Sequence, residues 1–355
     1  MLQSLVPKGS GQVSSLRRHR TSPFTRANAC ICFFWCAKDS PDEQGGGRAS
    51  SLRRDTEDAV ECSVDDEYLF GRRLGIGGFS EVRHAIRRSD GRNVAVKMVR
   101  RFRLSADQEA RVREEASVLR ELRHPAVVQL KDFCTRPDGF YTVLELLDGG
   151  ELLDGLAKRE HYTEADARHV FAVLAGALSF VHGCGIVHRD LTADNVLLVS
   201  QHDLRVKITG WGGAKRLPPG GGLLPGGEHY GTQGYIAPEV LLEEPYGTPA
   251  DLWALGVILH ILLCGSPPFE GGTPHLTARC TLQASVHPPD LRGPAWEGVS
   301  PDARNLVGRL LDADHTARLT ADGAGEHPWA RGSEAQLDRR SLDAVIPKLR
   351  QSRLL

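Results

Sequence analysis

From residue 80 to 99 the apolar positions recur at every second residue. Val82, His84 and Ile86 alternate with their neighbours, "SDGR" (89–92) supplies an Asp-Gly turn, and "NVAVKMV" (93–99) alternates again. A period of two with such a turn between predicts two antiparallel strands joined as a hairpin. The period lengthens in "SADQEARVREEASVLRELRHP" (105–125), where Val112, Ala116, Leu119 and Leu122 make one apolar stripe at helical spacing. Ser105 with Gln108 three residues on forms a capping box, which fixes the start of that helix. "LWALGVILHILLC" (252–264) is apolar for 13 residues. That is short of the ~18–20 residues needed to cross a bilayer, so it predicts a helix buried on all sides.

The chain has 355 residues, enough for one domain of roughly 260 residues with tails. A formal net charge of −1 gives no field that would favour nucleic acid or a membrane surface, and a hydrophobic content of 41% suits a soluble globular protein. The eight cysteines are scattered, and the Cys30, Cys32, Cys36 group has no second Cys/His pair at zinc spacing, so reduced thiols in an intracellular protein are expected. Residues 1–66 read as a tail in two parts. Residues 1–38 hold six Lys/Arg and no Asp/Glu, a composition shared by organelle transit peptides and by plain basic tails. Residues 39–66 hold nine Asp/Glu against three Lys/Arg. A cytoplasmic location is the default, with a transit peptide in 1–38 as the alternative. Thr21 and Ser51 follow basic residues and are candidate phosphorylation sites.

The chemistry begins at "LGIGGFSEV" (74–82). Glycines directly before a helix would suggest a dinucleotide or P-loop site. Here they lie between strands, and Gly75 and Gly77 let backbone amides come close to phosphate oxygens. Ala95 is small enough for a flat base to rest on it, and Lys97, on the same strand face, reaches phosphates. A structural hairpin with an exposed lysine fits the same residues. Glu115 borders the apolar stripe of its helix, and a glutamate turned inward there needs a cationic partner, for which Lys97 is the nearest choice.

Taken with "LELLDGGELL" (144–153), "VHRDLTADN" (187–195), "GTQGYIAPEVL" (231–241), "YGTPADLWALGVILHILLCGSPPF" (246–269) and "VSPDARNLVGRLL…ARLT…HPW" (299–329), the chain resembles eukaryotic protein kinases of the calcium/calmodulin-dependent group. The resemblance implies an α+β fold in two lobes. A small antiparallel sheet with one helix spans 67–145, a larger helical lobe spans 146–329, and 330–355 form a tail or short helix. It implies ATP as cofactor and a protein as substrate. Leu74, Gly75, Gly77, Ser80, Val82, Ala95, Leu147, Glu151 and Leu197 would line the nucleotide site, with Glu145 offering hinge backbone behind Leu144. Lys97, paired with Glu115, would hold the α- and β-phosphates. Asp190 would orient the substrate hydroxyl, and Asn195 would hold a metal ion. Glu151 and Asp194 would favour an arginine upstream of the target residue. Asp251 would support the catalytic loop, and Glu239 would pair with Arg318.

The departures fall on the phosphate end of the site. Where such kinases carry Asp-Phe-Gly, this chain has Gly210, Trp211 and Gly212. The carboxylate that bridges Mg²⁺ to the phosphates is therefore missing, and Asp203 lies too far along the strand to replace it. Thr192 stands where a lysine usually contacts the transferring phosphate. Trp211 either locks or crowds the column expected with Leu119, Leu130 and His188. Between Gly212 and Glu228 there is no Ser, Thr or Tyr, and "LPPGGGLLPGG" (217–227) reads as flexible. Arg189 would then have only Tyr230 or Thr232 as phosphorylated partners, or Glu228 as a permanent anion. Two functions follow: a weak Ser/Thr kinase needing Mg²⁺ little or not at all, or a catalytically dead nucleotide-binding or interaction scaffold. "LDAVIPKLRQSRLL" (342–355) is either a terminal helix packed on the large lobe or a calmodulin-target-like segment, with Pro347 interrupting it.

Overall fold

The computed structural model describes residues 64–332 and 341–354, apart from 79, 229 and 343. The sequence readings on the first 63 residues, including Thr21, Ser51, the transit-type composition and the Cys30 cluster, lie outside the described residues. Among the described residues, no helix is long and apolar enough to cross a membrane.

A short helix α1 (Val64–Glu67) leads into β1 (Tyr68–Ile76), β2 (Ser80–Arg87) and β3 (Asn93–Arg100). After α2 (Ala106–Glu121) come β4 (Leu130–Thr135) and β5 (Gly139–Glu145). The five strands form one antiparallel sheet in the order β1-β2-β3-β5-β4. The hairpin expected from the alternation is β2–β3, with Val82 opposite Lys97. The turn works because Gly91 adopts φ +70 and Asp90 accepts from the Arg87 side chain and the Arg92 amide. Ser105 caps α2 in both directions with Gln108, as its sequence requires.

The larger lobe is helical. It comprises α3 (Leu152–Ala157), α4 (Glu164–Gly183), α5 (Pro238–Leu241), α6 (Pro249–Cys264), α7 (Pro274–Leu282), α8 (Pro301–Leu310), α9 (Ala321–Gly325), α10 (Pro328–Arg331) and α11 (Val345–Leu354). Two small ribbons lie at its junction with the sheet. One pairs β6 (Ile186–Val187) with β9 (Lys215–Arg216), and the other pairs β7 (Val196–Leu198) with β8 (Val206–Ile208). Helix α6 is the apolar run, and every residue from Ala250 to Cys264 is buried. The buried pair Arg318–Glu239 is bidentate at 2.7 and 2.9 Å, with the guanidinium 5.1 Å over the Trp253 ring.

Two expectations change. Pro347 does not interrupt a helix, because it lies in the first turn of α11, where a missing N–H breaks no bond. The buried Val345, Ile346 and Leu349 turn α11 onto the large lobe, and Lys348 and Arg350 tie it to the Cys264 and Ala157 carbonyls. Cys184, Cys264 and Cys280 are free thiols as expected, but Cys134 is disulfide-bonded.

Removing one partner of the Arg318–Glu239 pair strands a buried charge. Arg318→Ala should therefore lower unfolding free energy by about 3–5 kcal/mol in a denaturant titration, and an apolar replacement of both residues should recover most of that loss.

Candidate active site

Lys97 projects from β3 toward α2 and donates to both carboxylate oxygens of Glu115 at 2.7 Å. Both side chains are buried, so the pair couples the sheet to the helix in a place where charge is expensive to strand. The plain structural hairpin with an exposed lysine is thereby excluded. The sheet register sets Ala95 beside Leu144 on β5 and Val82 beside Lys97. Leu74, Leu147 and Leu197 are likewise only half-buried. Glu151 bridges Leu197 through the backbone, and its side chain is buried rather than open to an incoming peptide. Asp194 remains half-exposed. The glycine turn differs from expectation at Gly77, whose N–H bonds the Ser80 carbonyl at 2.7 Å and so closes the turn on itself. Glu145 gives its side chain to Lys207 at 2.6 Å and its N–H to the Gln129 carbonyl. The Lys207 contact carried no signal in the sequence.

The loop 187–195 is built around Asp251. Its carboxylate accepts from His182 Nε2 and from the amides of His188 and Arg189, each at 2.9 Å. Burial works against ionisation of Asp251, yet the His182 ring and the amides outweigh it and hold the carboxyl below the usual range. These bonds keep Arg189 at φ +68, a left-handed conformation that is strained for a residue with a side chain. The strained turn presents Asp190. Burial pushes the Asp190 carboxyl up, opposed by the Thr232 hydroxyl, which donates to Oδ1 at 2.7 Å.

Asn195 donates from Nδ2 to the Asp190 carbonyl at 2.8 Å. Its amide lies directly against Gly210: a Cβ added there would sit 2.4 Å from Asn195 Cγ and Oδ1. Gly210 is itself left-handed, at φ +76. The missing side chain at 210 is thus matched by an Asn195 that occupies the space. Asp203 is engaged with Arg205 in its own turn and cannot substitute. Thr192 is buried, with its hydroxyl accepting from the Asn195 backbone N–H at 3.1 Å. Mg²⁺ favours near-octahedral oxygen ligation through carboxylates and phosphates. The Asn195 bond to Asp190 uses Nδ2 and leaves Oδ1 as a single neutral oxygen, and there is no carboxylate at 210, a set that does not fit the bridging ion. Among the described residues no group of three His, Cys, Asp or Glu is placed to hold a metal.

Trp211 locks its column rather than crowding it. It is buried, its Nε1–H donates to the Ile208 carbonyl at 3.1 Å, and its ring meets His188 edge-on at 4.6 Å. The glycine-proline segment is likewise not slack throughout, since buried Leu224 pairs with Tyr246 through two backbone bonds of 2.8 and 3.1 Å. Glu228 takes the anion's place. Its carboxylate accepts from Arg189 Nη1 at 2.8 Å and Lys215 Nζ at 3.1 Å, while Arg189 also reaches the Tyr246 hydroxyl and stacks 4.6 Å over Tyr230. Tyr230 and Thr232, the two remaining phosphorylation candidates, are both engaged.

The Arg189 bond, with help from Lys215, lowers the Glu228 pKa from 4.5 to about 2. A carboxyl with a depressed folded-state pKa supports the fold above its unfolded value and loses that support as pH falls toward the folded one. The melting-temperature gap between wild type and Glu228→Gln should therefore be constant from about pH 5 to 7 and narrow steadily below about 4.5. Scanning calorimetry across that range checks it, and a gap that persists unchanged at pH 3 would contradict the assignment.

A profile of the protein kinase domain matches residues 68–330. The chain is 38% identical over 303 residues to calcium/calmodulin-dependent protein kinase type 1B of Rattus norvegicus, covering 85% of this chain and 84% of the relative. The Homo sapiens and Mus musculus proteins of that name match over the same length with the same identity. With the two-lobed fold and the Lys97–Glu115 and Asp251 anchors in place, the chain belongs to the protein kinase family, as a Ser/Thr member similar to the calcium/calmodulin-dependent group.

Proposed function

We propose that the protein binds ATP with little help from Mg²⁺ and transfers phosphate to Ser or Thr of a protein only slowly. The observation that carries this reading is the contact of Asn195 with Gly210. Glycine at 210, with Asn195 against it, offers no carboxylate to a bridging ion, while the Lys97–Glu115 pair is intact. Bound ATP would lie with its base between Ala95, Val82 and Leu197 and its phosphates toward Lys97, and it would supply the phosphoryl group. Asp190, half-buried and oriented by Thr232 and Asn195, would position the acceptor hydroxyl. Loss of the carboxylate at 210 and the ammonium at 192 weakens stabilisation of one and the same group. A single preorganised contact of this kind commonly matters by ~10²–10³ in rate, and two acting together need not multiply.

A second reading, a scaffold without phosphotransfer, is favoured by the joint loss of the carboxylate at 210 and the ammonium at 192. The relatives are calmodulin-dependent kinases by name, but here the apolar Val345, Ile346 and Leu349 of α11 are already buried on the large lobe. A calmodulin complex would first have to lift that helix away.

Two measurements test the reading. ATP should raise the melting temperature by similar amounts in EDTA and in Mg²⁺; a shift seen only with the metal, or none in either, would count against it. Gly210→Asp with Thr192→Lys should gain at least about tenfold in Mg²⁺-dependent transfer, because aspartate tolerates the left-handed backbone and its side chain would turn Asn195 outward. That gain should disappear in Asp190→Asn. A variant that folds, binds ATP and transfers nothing would leave the scaffold.

A further inference from the structure

Strand β4 ends the sheet at the edge opposite β1, and a groove of about 340 Å³ lies between it and α2. A second hollow of about 230 Å³ continues the groove to Lys207 of β8, and the two share Leu122, Arg123 and Gln129. The apolar residues lining the first part are Leu119 and Leu122, both buried, and Leu130 and Phe133 of β4, both half-buried. Its charges are nearly all of one sign. Arg120 stands in the last turn of α2 and Arg123 just past its end; both are exposed, and neither meets a carboxylate among the described residues. Lys131 of β4 is exposed and donates to the neutral side chain of Gln129. One acid lines the groove, Asp132, and it already accepts from the Phe133 N–H at 2.8 Å and the Tyr68 hydroxyl at 3.4 Å. Lys207, at the far end, is held by Glu145.

The two lobes differ in charge. Residues 68–145 hold sixteen Lys/Arg against ten Asp/Glu, while residues 146–329 hold thirteen against twenty-two. The groove lies on the basic lobe and ends where the acidic lobe begins. A short acidic segment placed there meets three cations, whereas a long polyanion would run on into a field of its own sign. The apolar lining suits a peptide, which can offer apolar side chains between its carboxylates. The place also has a consequence for the site. Leu119 follows Glu115 by one turn of α2, and Leu119 and Leu130 pack in the same apolar cluster as Trp211. An occupant that ties α2 to β4 steadies the helix that carries Glu115.

We propose that the groove between α2 and β4 is a docking site for a short acidic segment of a partner protein. Its carboxylates bind Arg120, Arg123 and Lys131, and its apolar side chains cover Leu130 and Phe133. The occupant is chosen by charge and by the apolar lining, and the inference does not depend on phosphotransfer.

Fluorescence anisotropy on the full-length chain tests it. The probe is a labelled ten-residue peptide of glutamate with leucine at every third position. Binding should saturate, and Arg120→Glu with Arg123→Glu should weaken it at least about tenfold, the scale of two ion pairs turned into repulsions. About 0.5 M salt should weaken it as well. Arg72→Glu with Arg73→Glu makes the same change of charge on exposed residues of β1, at the far edge of the sheet, and should leave binding within about twofold. The peptide with lysine in place of glutamate should bind the reversed groove more tightly than wild type. Both double variants should melt as wild type does, because the altered side chains are exposed. A peptide that does not bind wild type, that binds equally with glutamine for glutamate, or that loses as much to the β1 reversal as to the groove reversal overturns the inference. An oligonucleotide that binds the groove as tightly as the peptide overturns it too. A dimer in sedimentation that the groove reversal breaks gives the groove to a second copy of the chain and overturns it equally.

Discussion

Asp251 sits at the start of the most deeply buried helix and binds three donors, the His188 and Arg189 amides of the loop in front of it and the His182 ring of α4. Everything on that loop depends on this arrangement. It holds Arg189 in a strained left-handed turn, the turn fixes Asp190, and the Arg189 side chain reaches across to Glu228 and Tyr246. None of these links passes through position 210. The carboxylate lost there leaves the loop standing, which is why a site with a damaged phosphate end still has an ordered nucleophile end.

The consequence is a separation of the site's shape from its charge. Shape and electrostatics normally arrive together, since the residues that grip the metal also border the cleft. In this chain the Lys97–Glu115 bridge and the Trp211–His188 column survive, and the Trp211 indole even finds a carbonyl for its N–H. What has gone is charge: a carboxylate at 210 and an ammonium at 192. Asn195, relieved of a neighbour, settles against Gly210 and bonds to Asp190. In the function proposed above, the site serves binding more than stabilisation of a dissociating phosphoryl group, where fixed charges do most of the catalytic work.

Much of this was legible in the sequence where a local rule decides the outcome. The β2–β3 hairpin follows from alternation and an Asp-Gly turn, the start of α2 from Ser105 and Gln108, and the burial of α6 from an unbroken apolar run. Gly210 and Thr192 could be read as departures because the motifs around them are in order. The rest depended on contacts between distant parts of the chain. That Asn195 would fill the space at 210, that Leu224 would anchor a glycine-proline segment to Tyr246, and that Lys215 would join Arg189 around Glu228 are matters of tertiary neighbours. Gly77 was misread for a related reason: glycine permits an amide to face a phosphate but equally permits a turn that closes on its own carbonyl. Pro347 was misread because its effect depends on whether it lies in the first turn of a helix or in the middle, which the hydropathy pattern alone did not reveal.

The central claim is that phosphotransfer here has been uncoupled from a bridging metal. The most direct measurement is transfer of labelled phosphate from ATP to a protein substrate or to the chain itself, compared in Mg²⁺, in Mn²⁺ and in EDTA, with Asp190→Asn as control. The account predicts slow transfer of similar rate in all three conditions, abolished in Asp190→Asn. Transfer that is fast in Mg²⁺ and absent in EDTA would contradict it.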